Sequence, residues 1–179
     1  NIPYVKYGGL KFAEAAHVKD VLSYLRVLHN PMDGIAWIRL LELMEGIGPS
    51  TASKITEKVI NGGGSLQELQ APEFATRKFG LSLRRLYNVL SRLHDPDNKL
   101  TPTAQMEAVI KYYTPLFETK FDDFHRRRED LNSLLHISER YSAIDQMLTD
   151  MALEPPTRFQ DGVEPTDNED EKLILSTIH

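Results

Sequence analysis

The stretch "MEGIGPSTASKI", residues 44–55, interrupts an apolar helical sequence with two glycines and a proline. Glycine permits backbone conformations that a side chain forbids, and proline suits the first turn of a new helix. Apolar residues on both sides of the interruption recur at helical spacing, namely Leu41, Met44, Ile47, Ala52 and Ile55. We therefore predict two short helices, over about 34–45 and 50–61, that pack together across a tight turn.

This turn is also a candidate phosphate site. The first backbone N–H groups of a helix have no partner within the helix, and such groups attract phosphate oxygens. Hydroxyl side chains follow the glycines, and Lys54 and Lys58 can add positive charge nearby. We predict that a nucleic-acid backbone is contacted by Gly46, Ile47, Gly48, Ser50, Thr51 and Lys54. The alternative is a turn that only packs two helices.

The rest of the sequence predicts an all-α helical bundle with a short β-strand at each terminus, within residues 2–7 and 172–178. Further helices are predicted over 13–28, 81–93, 102–113, 121–141 and 142–153 from apolar residues at steps of three and four. Asp33 and Thr101 are predicted helix caps, and Ser65 with Glu68 has the spacing of a capping box.

Four regions follow from this pattern. Residues 1–11 are predicted to form a terminal strand and turn, and residues 12–153 a helical domain. Residues 154–171 are acidic, contain proline and have few large apolar side chains, which predicts a flexible linker. Residues 172–179 are predicted to form the second strand.

Composition excludes several classes of protein. The 179 residues contain no run of about 20 apolar residues, so no membrane span or membrane partner is expected. There is no cysteine, which excludes a disulfide framework and fits a reducing compartment; we expect a cytoplasmic protein. The chain starts without methionine and stops within an apolar run, so we expect a piece of a longer protein.

The net charge of −5 is unevenly distributed. Residues 154–179 contain seven acidic and two basic residues and account for all of it. Residues 1–92 contain 12 basic and 8 acidic residues, a local excess of four positive charges around the glycine turn. An acidic protein can therefore still present a basic face to nucleic acid.

Four segments, in order, resemble the accessory region of UvrD-like superfamily 1 DNA helicases. They are "YGGLKF" (7–12), "VKDVLSYLRVLHNPMD" (18–33), "GIGPSTASKI" (46–55) and "LILSTIH" (173–179). The third segment resembles the helix-hairpin-helix motif of DNA repair and replication proteins, here within residues 35–60. The resemblance implies an accessory insertion called 2B that lies between motifs IV and V of the parent helicase.

The same resemblance implies roles for residues near both termini. Tyr7, Gly8, Gly9 and Phe12 would belong to the exit from the second motor domain. Thr177 and His179, at the start of motif V, would lie by the single-stranded DNA track of the parent. His17 departs from the family pattern, since many relatives carry an acid there. Expected partners are duplex DNA, single-strand/duplex junctions, the other helicase domains and a repair protein.

Several kinds of catalytic or metal site are not expected. The sequence contains no G-x-x-x-x-G-K-[ST] phosphate loop, so this chain alone should not hydrolyse ATP; ATP and Mg²⁺ are expected only in the full-length parent. No catalytic residue is assigned. His125 and His136 are too far apart along a helix to share a metal, and no metal site is expected.

Two further clusters have structural interpretations. The "RRR" run at 126–128 has acids on both sides, which favours a solvated and internally paired helix face over a DNA contact. Trp37 is interpreted as a core anchor and not as a platform for stacking bases.

Two other functions are consistent with parts of the sequence. A helix-hairpin-helix DNA glycosylase would need a catalytic aspartate beyond the turn, and none occurs between the turn and Glu68. A protein-interaction module with little DNA affinity is the other alternative.

Overall fold

The computed structural model describes residues 9–94 and 100–153, and these residues form a helical bundle. The α-helices are α1 (Gly9–Glu14), α2 (Ala16–His29), α3 (Gly34–Leu41), α4 (Pro49–Asn61), α5 (Pro72–Ala75), α6 (Gly80–His94), α7 (Pro102–Lys120), α8 (Phe124–Ser138) and α9 (Ile144–Leu153). A short 3-10 helix spans Leu66–Gln70. None of the helices in these two ranges has the length and apolar character needed to cross a membrane.

Helix α2 lies at the centre of the bundle. It packs against α3, α7, α8 and α9, and its apolar positions Val18, Val21, Leu25 and Leu28 are buried. This face is the apolar stripe predicted from the spacing, although the helix begins at Ala16 and is preceded by the separate helix α1. A central helix with a buried stripe gives the surrounding helices a common core to cover.

Local sequence signals account for several helix starts. Asp33 caps α3, its Oδ1 accepting a hydrogen bond from the Ala36 amide at 2.9 Å, and Thr101 caps α7 in the same way at 3.2 Å. Both predicted caps are confirmed. The capping box predicted at Ser65 is wrong, because Ser65 makes no side-chain cap and the segment after it is a 3-10 helix.

The prediction of a strand at each terminus has to be corrected. The all-α class is confirmed, but within residues 9–94 and 100–153 the chain contains helices and no strand. Gly9, predicted to end a turn after the first strand, instead begins helix α1. Segments 2–7 and 172–178, and the linker predicted at 154–171, lie outside the described residues. The residues that the structure describes therefore form an all-α bundle.

Candidate nucleic-acid interface

The connection between α3 and α4 is a tight and largely exposed turn. Helix α3 ends at Leu41, earlier than predicted, because the Met44 amide bonds to the Leu41 carbonyl at 3.0 Å and tightens the chain. Gly46 has φ +83°, in the left-handed region that side chains disfavour. Gly48 is extended (φ −94°, ψ 178°) and directly precedes Pro49, the first residue of α4.

Buried apolar residues hold this turn in place. Ile47 is 5% exposed, and it belongs to the same core as Leu41, Met44, Ala52 and Ile55. The neighbouring residues of the turn are at the surface: Gly46, Gly48, Pro49 and Ser50 are all exposed. The core thus fixes the turn through one side chain and leaves its backbone at the surface.

The backbone amides of the turn differ in what they bond. Ile47 N–H donates to Met44 O at 3.2 Å, and Thr51 N–H donates to Gly48 O at 3.0 Å. The amides of Gly46, Gly48 and Ser50 donate no hydrogen bond to any described residue. Of the predicted set, the glycines and Ser50 therefore keep donors open, whereas Ile47 and Thr51 already use theirs.

The two lysines of α4 are not equivalent. Lys58 Nζ lies 2.7 Å from Glu73 Oε1 and 3.9 Å from Glu68 Oε2, and these acids raise the pKa of Lys58, with the hydrogen bond to Glu73 as the main cause. Lys54 is exposed and forms no ion pair within the described ranges. Lys54 is thus the α4 cation that stays open to a partner.

The remaining predicted residues are placed only in part. Tyr7, Gly8, Thr177 and His179 lie outside the described residues. Gly9 is the first residue of α1, and Phe12 is half-buried against the core. No arrangement of these six residues around a common site is therefore described.

Two of the three arginines at 126–128 are paired with acids, as the interpretation of an internally paired face predicted. Arg127 Nε lies 2.6 Å from Asp123 Oδ1, and Arg128 lies 2.7 Å from Glu118 Oε1. Their guanidinium groups also stack over aromatic rings, Arg127 on Phe121 and Arg128 on Phe124. Trp37 is fully buried and donates to the Pro31 carbonyl at 2.8 Å, which confirms its role as a core anchor.

Sequence reasoning did not identify a buried charge network between α2, α3 and α7. Asp20 is 1% exposed and accepts hydrogen bonds from Arg39 at 2.8 Å, Tyr113 at 2.8 Å and Lys120 at 2.9 Å. Burial raises the pKa of Tyr113 well above its usual range, and the Asp20 charge raises it further, so its hydroxyl stays a donor. The sequence held one signal for this network, which is the acid Asp20 within the apolar stripe of α2.

His17 lies beside this network and is also buried. Its Nε2 is 2.8 Å from Asp130 Oδ2 on α8, and its ring contacts those of Phe117 and Phe121. Burial lowers the pKa of His17, and the opposing effect of Asp130 does not reverse this. We therefore assign the neutral imidazole, held as a structural bridge between α2 and α8.

A metal site is not formed by the described residues. Within 9–94 and 100–153, no group of three or more His, Cys, Asp or Glu side chains is arranged to hold a metal ion. The most distinctive exposed polar feature in these ranges is the α3–α4 turn, with its open amides, the hydroxyl of Ser50 and Lys54.

Comparison with known proteins shows which family the sequence resembles. The chain is 25% identical to the ATP-dependent DNA helicase PcrA of Bacillus subtilis over 185 residues, covering 96% of this chain. It is 30% identical to the ATP-dependent DNA helicase Rep of Salmonella typhimurium over 204 residues, covering 99% of this chain. The chain spans only 25% and 28% of the length of these two relatives.

The family described as "UvrD-like helicase C-terminal domain" matches residues 1–179. This match takes in the α3–α4 turn, the buried Asp20 network and both ends of the sequence. Because it extends over every residue of the sequence, the chain belongs to the UvrD-like helicase C-terminal domain family.

Proposed function

We propose that this chain is the DNA-binding accessory region of a UvrD-like helicase and that its α3–α4 turn binds the backbone of duplex DNA. The observation that carries the proposal is that three exposed residues of the turn, Gly46, Gly48 and Ser50, have amides with no acceptor among the described residues. In this proposal α3, the turn and α4 act as a helix-hairpin-helix, and residues 12–153 correspond to the 2B insertion.

The charges near the turn support this function. A phosphate at the start of α4 would accept hydrogen bonds from the open amides and gain from the positive end of the helix dipole. Exposed Lys54, one turn into α4, adds a cation without an acidic partner in the described ranges. Exposed Glu42 and Glu45 precede the turn, so the site for an anion is on its α4 side.

The parent activity is part of the same proposal. The two relatives described above are named ATP-dependent DNA helicases, and we infer a parent of that kind with 3′ to 5′ polarity. ATP and Mg²⁺ would bind elsewhere in the parent, because this sequence has no phosphate loop. The roles of Tyr7, Gly8, Gly9 and Phe12 in the second motor domain, and of Thr177 and His179 in motif V, stay predictions, as does a cytoplasmic location.

Gly48→Val tests the turn directly. Gly48 has an ordinary extended backbone, and a Cβ added there meets no atom within 4 Å, so the variant should fold. The valine methyl groups would stand beside the open amides and keep a phosphate away. We expect duplex affinity at low salt to fall about tenfold, equivalent to the loss of about one hydrogen bond to a charged group.

A matched control is Ser53→Val, one turn further along α4. The Ser53 hydroxyl donates to the Pro49 carbonyl at 3.0 Å and is not among the predicted contacts, so this variant adds the same side chain away from the turn. Equal affinity of wild type and a folded Gly48→Val, with Ser53→Val also unchanged, would show that the turn does not bind DNA. A protein-interaction module would then be the better assignment.

A further inference from the structure

A second exposed basic surface lies on the loop between α5 and α6. Arg77 and Lys78 are exposed in this loop, and Arg84 is exposed one turn into α6. Arg84 lines a shallow cleft together with Ala75 and Gly80, the residues on either side of the loop. The three cations thus belong to one loop and to the first turns of the helix that follows it, and we call them the α5–α6 basic surface.

The backbone of this loop is held rigidly. Phe74 and Phe79 are each 9% exposed and anchor its two ends in the core. Arg77 N–H donates to Phe74 O at 3.0 Å, and Gly80 N–H donates to Arg77 O at 2.9 Å. A Cβ at Gly80 would lie 2.4 Å from the Ala75 carbonyl oxygen, so only glycine allows this close return of the chain. The cations are presented by a preformed loop.

These cations lack the acidic partners found elsewhere in the protein. Arg77, Lys78 and Arg84 form no ion pair with any residue of the described ranges, whereas Arg127 and Arg128 are each paired. The nearest acid in sequence, Glu73, is committed to Lys58 at 2.7 Å. Unpaired like charges held together repel one another, and an anionic partner relieves that repulsion.

The surface is linked to the proposed duplex site through helices α4 and α5. The Lys58–Glu73 ion pair joins α4 to α5, and Lys54 lies one turn, about 6 Å along the axis, before Lys58 on α4. A duplex carries one phosphate charge per about 1.7 Å of its axis, so a single duplex offers charges to both places. An anion of this extent fits two neighbouring cationic surfaces better than an isolated small ion.

We propose that the α5–α6 basic surface is a second contact for the phosphate backbone of duplex DNA. This inference rests on the proposed function of the α3–α4 turn and extends the footprint of the duplex across α4 and α5 to α6. Contacts of this kind carry affinity and orientation and no sequence preference. An acidic protein partner is the competing occupant.

The test is the salt dependence of duplex binding by Arg77→Gln/Arg84→Gln in the 179-residue chain. Loss of two phosphate contacts should make the slope of log affinity against log salt shallower by about 2, because each contact contributes about 0.9. The matched control is Arg126→Gln/Arg128→Gln, which removes the same charge from exposed positions on α8. We expect the slope of the control to equal that of wild type.

Gly48→Val in the same titrations separates the two proposals. If Gly48→Val weakens binding and Arg77→Gln/Arg84→Gln keeps the wild-type slope, the second surface is wrong while the turn stands. An equal loss of slope in the α8 control would also overturn it, since only net charge would then matter. Loss of an acidic protein partner with unchanged duplex binding would overturn it in favour of the competing occupant.

Discussion

The α3–α4 turn and the Asp20 network are both polar features of the bundle, but they satisfy their polar groups in opposite ways. In the network, a carboxylate 1% exposed receives donors from three side chains on α3 and α7. In the turn, Gly46, Gly48 and Ser50 are exposed residues, and their amides bond to no described residue. Polar groups that the protein satisfies itself stabilise the fold, whereas those it holds rigidly and leaves open are suited to a partner.

The largest effect on stability is expected from Asp20→Ala, which removes the acceptor at the centre of the Asp20 network. Arg39, Tyr113 and Lys120 would lose their shared acceptor, and Tyr113 is fully buried. The free energy of unfolding in a urea titration should fall by about 3 kcal/mol, at the low end for broken buried ion pairs because Arg39 and Lys120 reach solvent.

Asp123→Ala is the control for that loss. Asp123 pairs with Arg127 in the exposed part of α8, where solvent screens the interaction, so stability should hardly change. Duplex affinity measured well below the unfolding transition should be unchanged in both variants. Equal stability of Asp20→Ala and Asp123→Ala would show that the network does not hold α2 to α3 and α7.

A smaller loss of stability is expected from Gly46→Ala. This variant tests the backbone conformation of the turn separately from DNA binding. At φ +83° an alanine is strained, although a Cβ there meets no atom within 4 Å. Thermal or urea unfolding should show a loss of about 1–2 kcal/mol. Gly48→Ala, at φ −94°, should show no comparable loss. Equal stability of the two variants would contradict the left-handed conformation at Gly46.

The smallest effect is a pH dependence from His17. Because burial lowers the pKa of His17, the unfolded chain takes up a proton near the ordinary value of about 6.5 while the folded chain does not. Stability should therefore fall as the pH drops below about 6.5 and level off once the folded state is protonated too. The groups that face His17 are Asp130 and Arg127 on α8, Phe117 on α7, Phe121 directly after α7, and Asp20 on its own helix.

His17→Gln should lose this part of the pH dependence. Unfolding free energies of wild type and variant, compared at several pH values from about 5 to 7.5, isolate it because the other histidines are common to both. An identical slope in the two proteins would mean that His17 keeps its ordinary pKa in the fold. Protonation of His17 should not change the affinity of the turn for duplex DNA.

Sequence reasoning succeeded where the interaction is local. The glycines and proline of 46–49 predicted the break between α3 and α4, and Asp33 and Thr101 predicted caps, because each acts on residues a few positions away. The Ser65 capping box was wrong because Glu68 turns towards Lys58 on α4 instead of back to its own helix start. A distant charge outweighed the local signal.

The parts that escaped prediction depend on residues far apart in sequence. Asp20 meets Lys120, and His17 meets Asp130, across separations of 100 and 113 residues. Spacing along α2 can place Asp20 on the buried face but cannot say which donors arrive there. The same limit applied to Lys54 and Lys58, which look equivalent in sequence until Glu73 of α5 takes one of them.

The most direct test of the account is proton–nitrogen correlation NMR of the chain titrated with duplex DNA at low salt. We predict that the amide resonances of Gly46, Gly48 and Ser50 shift most within the turn, because their donors are open. The resonances of Ile47 and Thr51, whose donors are already used, should shift less. If the duplex binds and the three open amides do not move, the turn does not hold the DNA backbone.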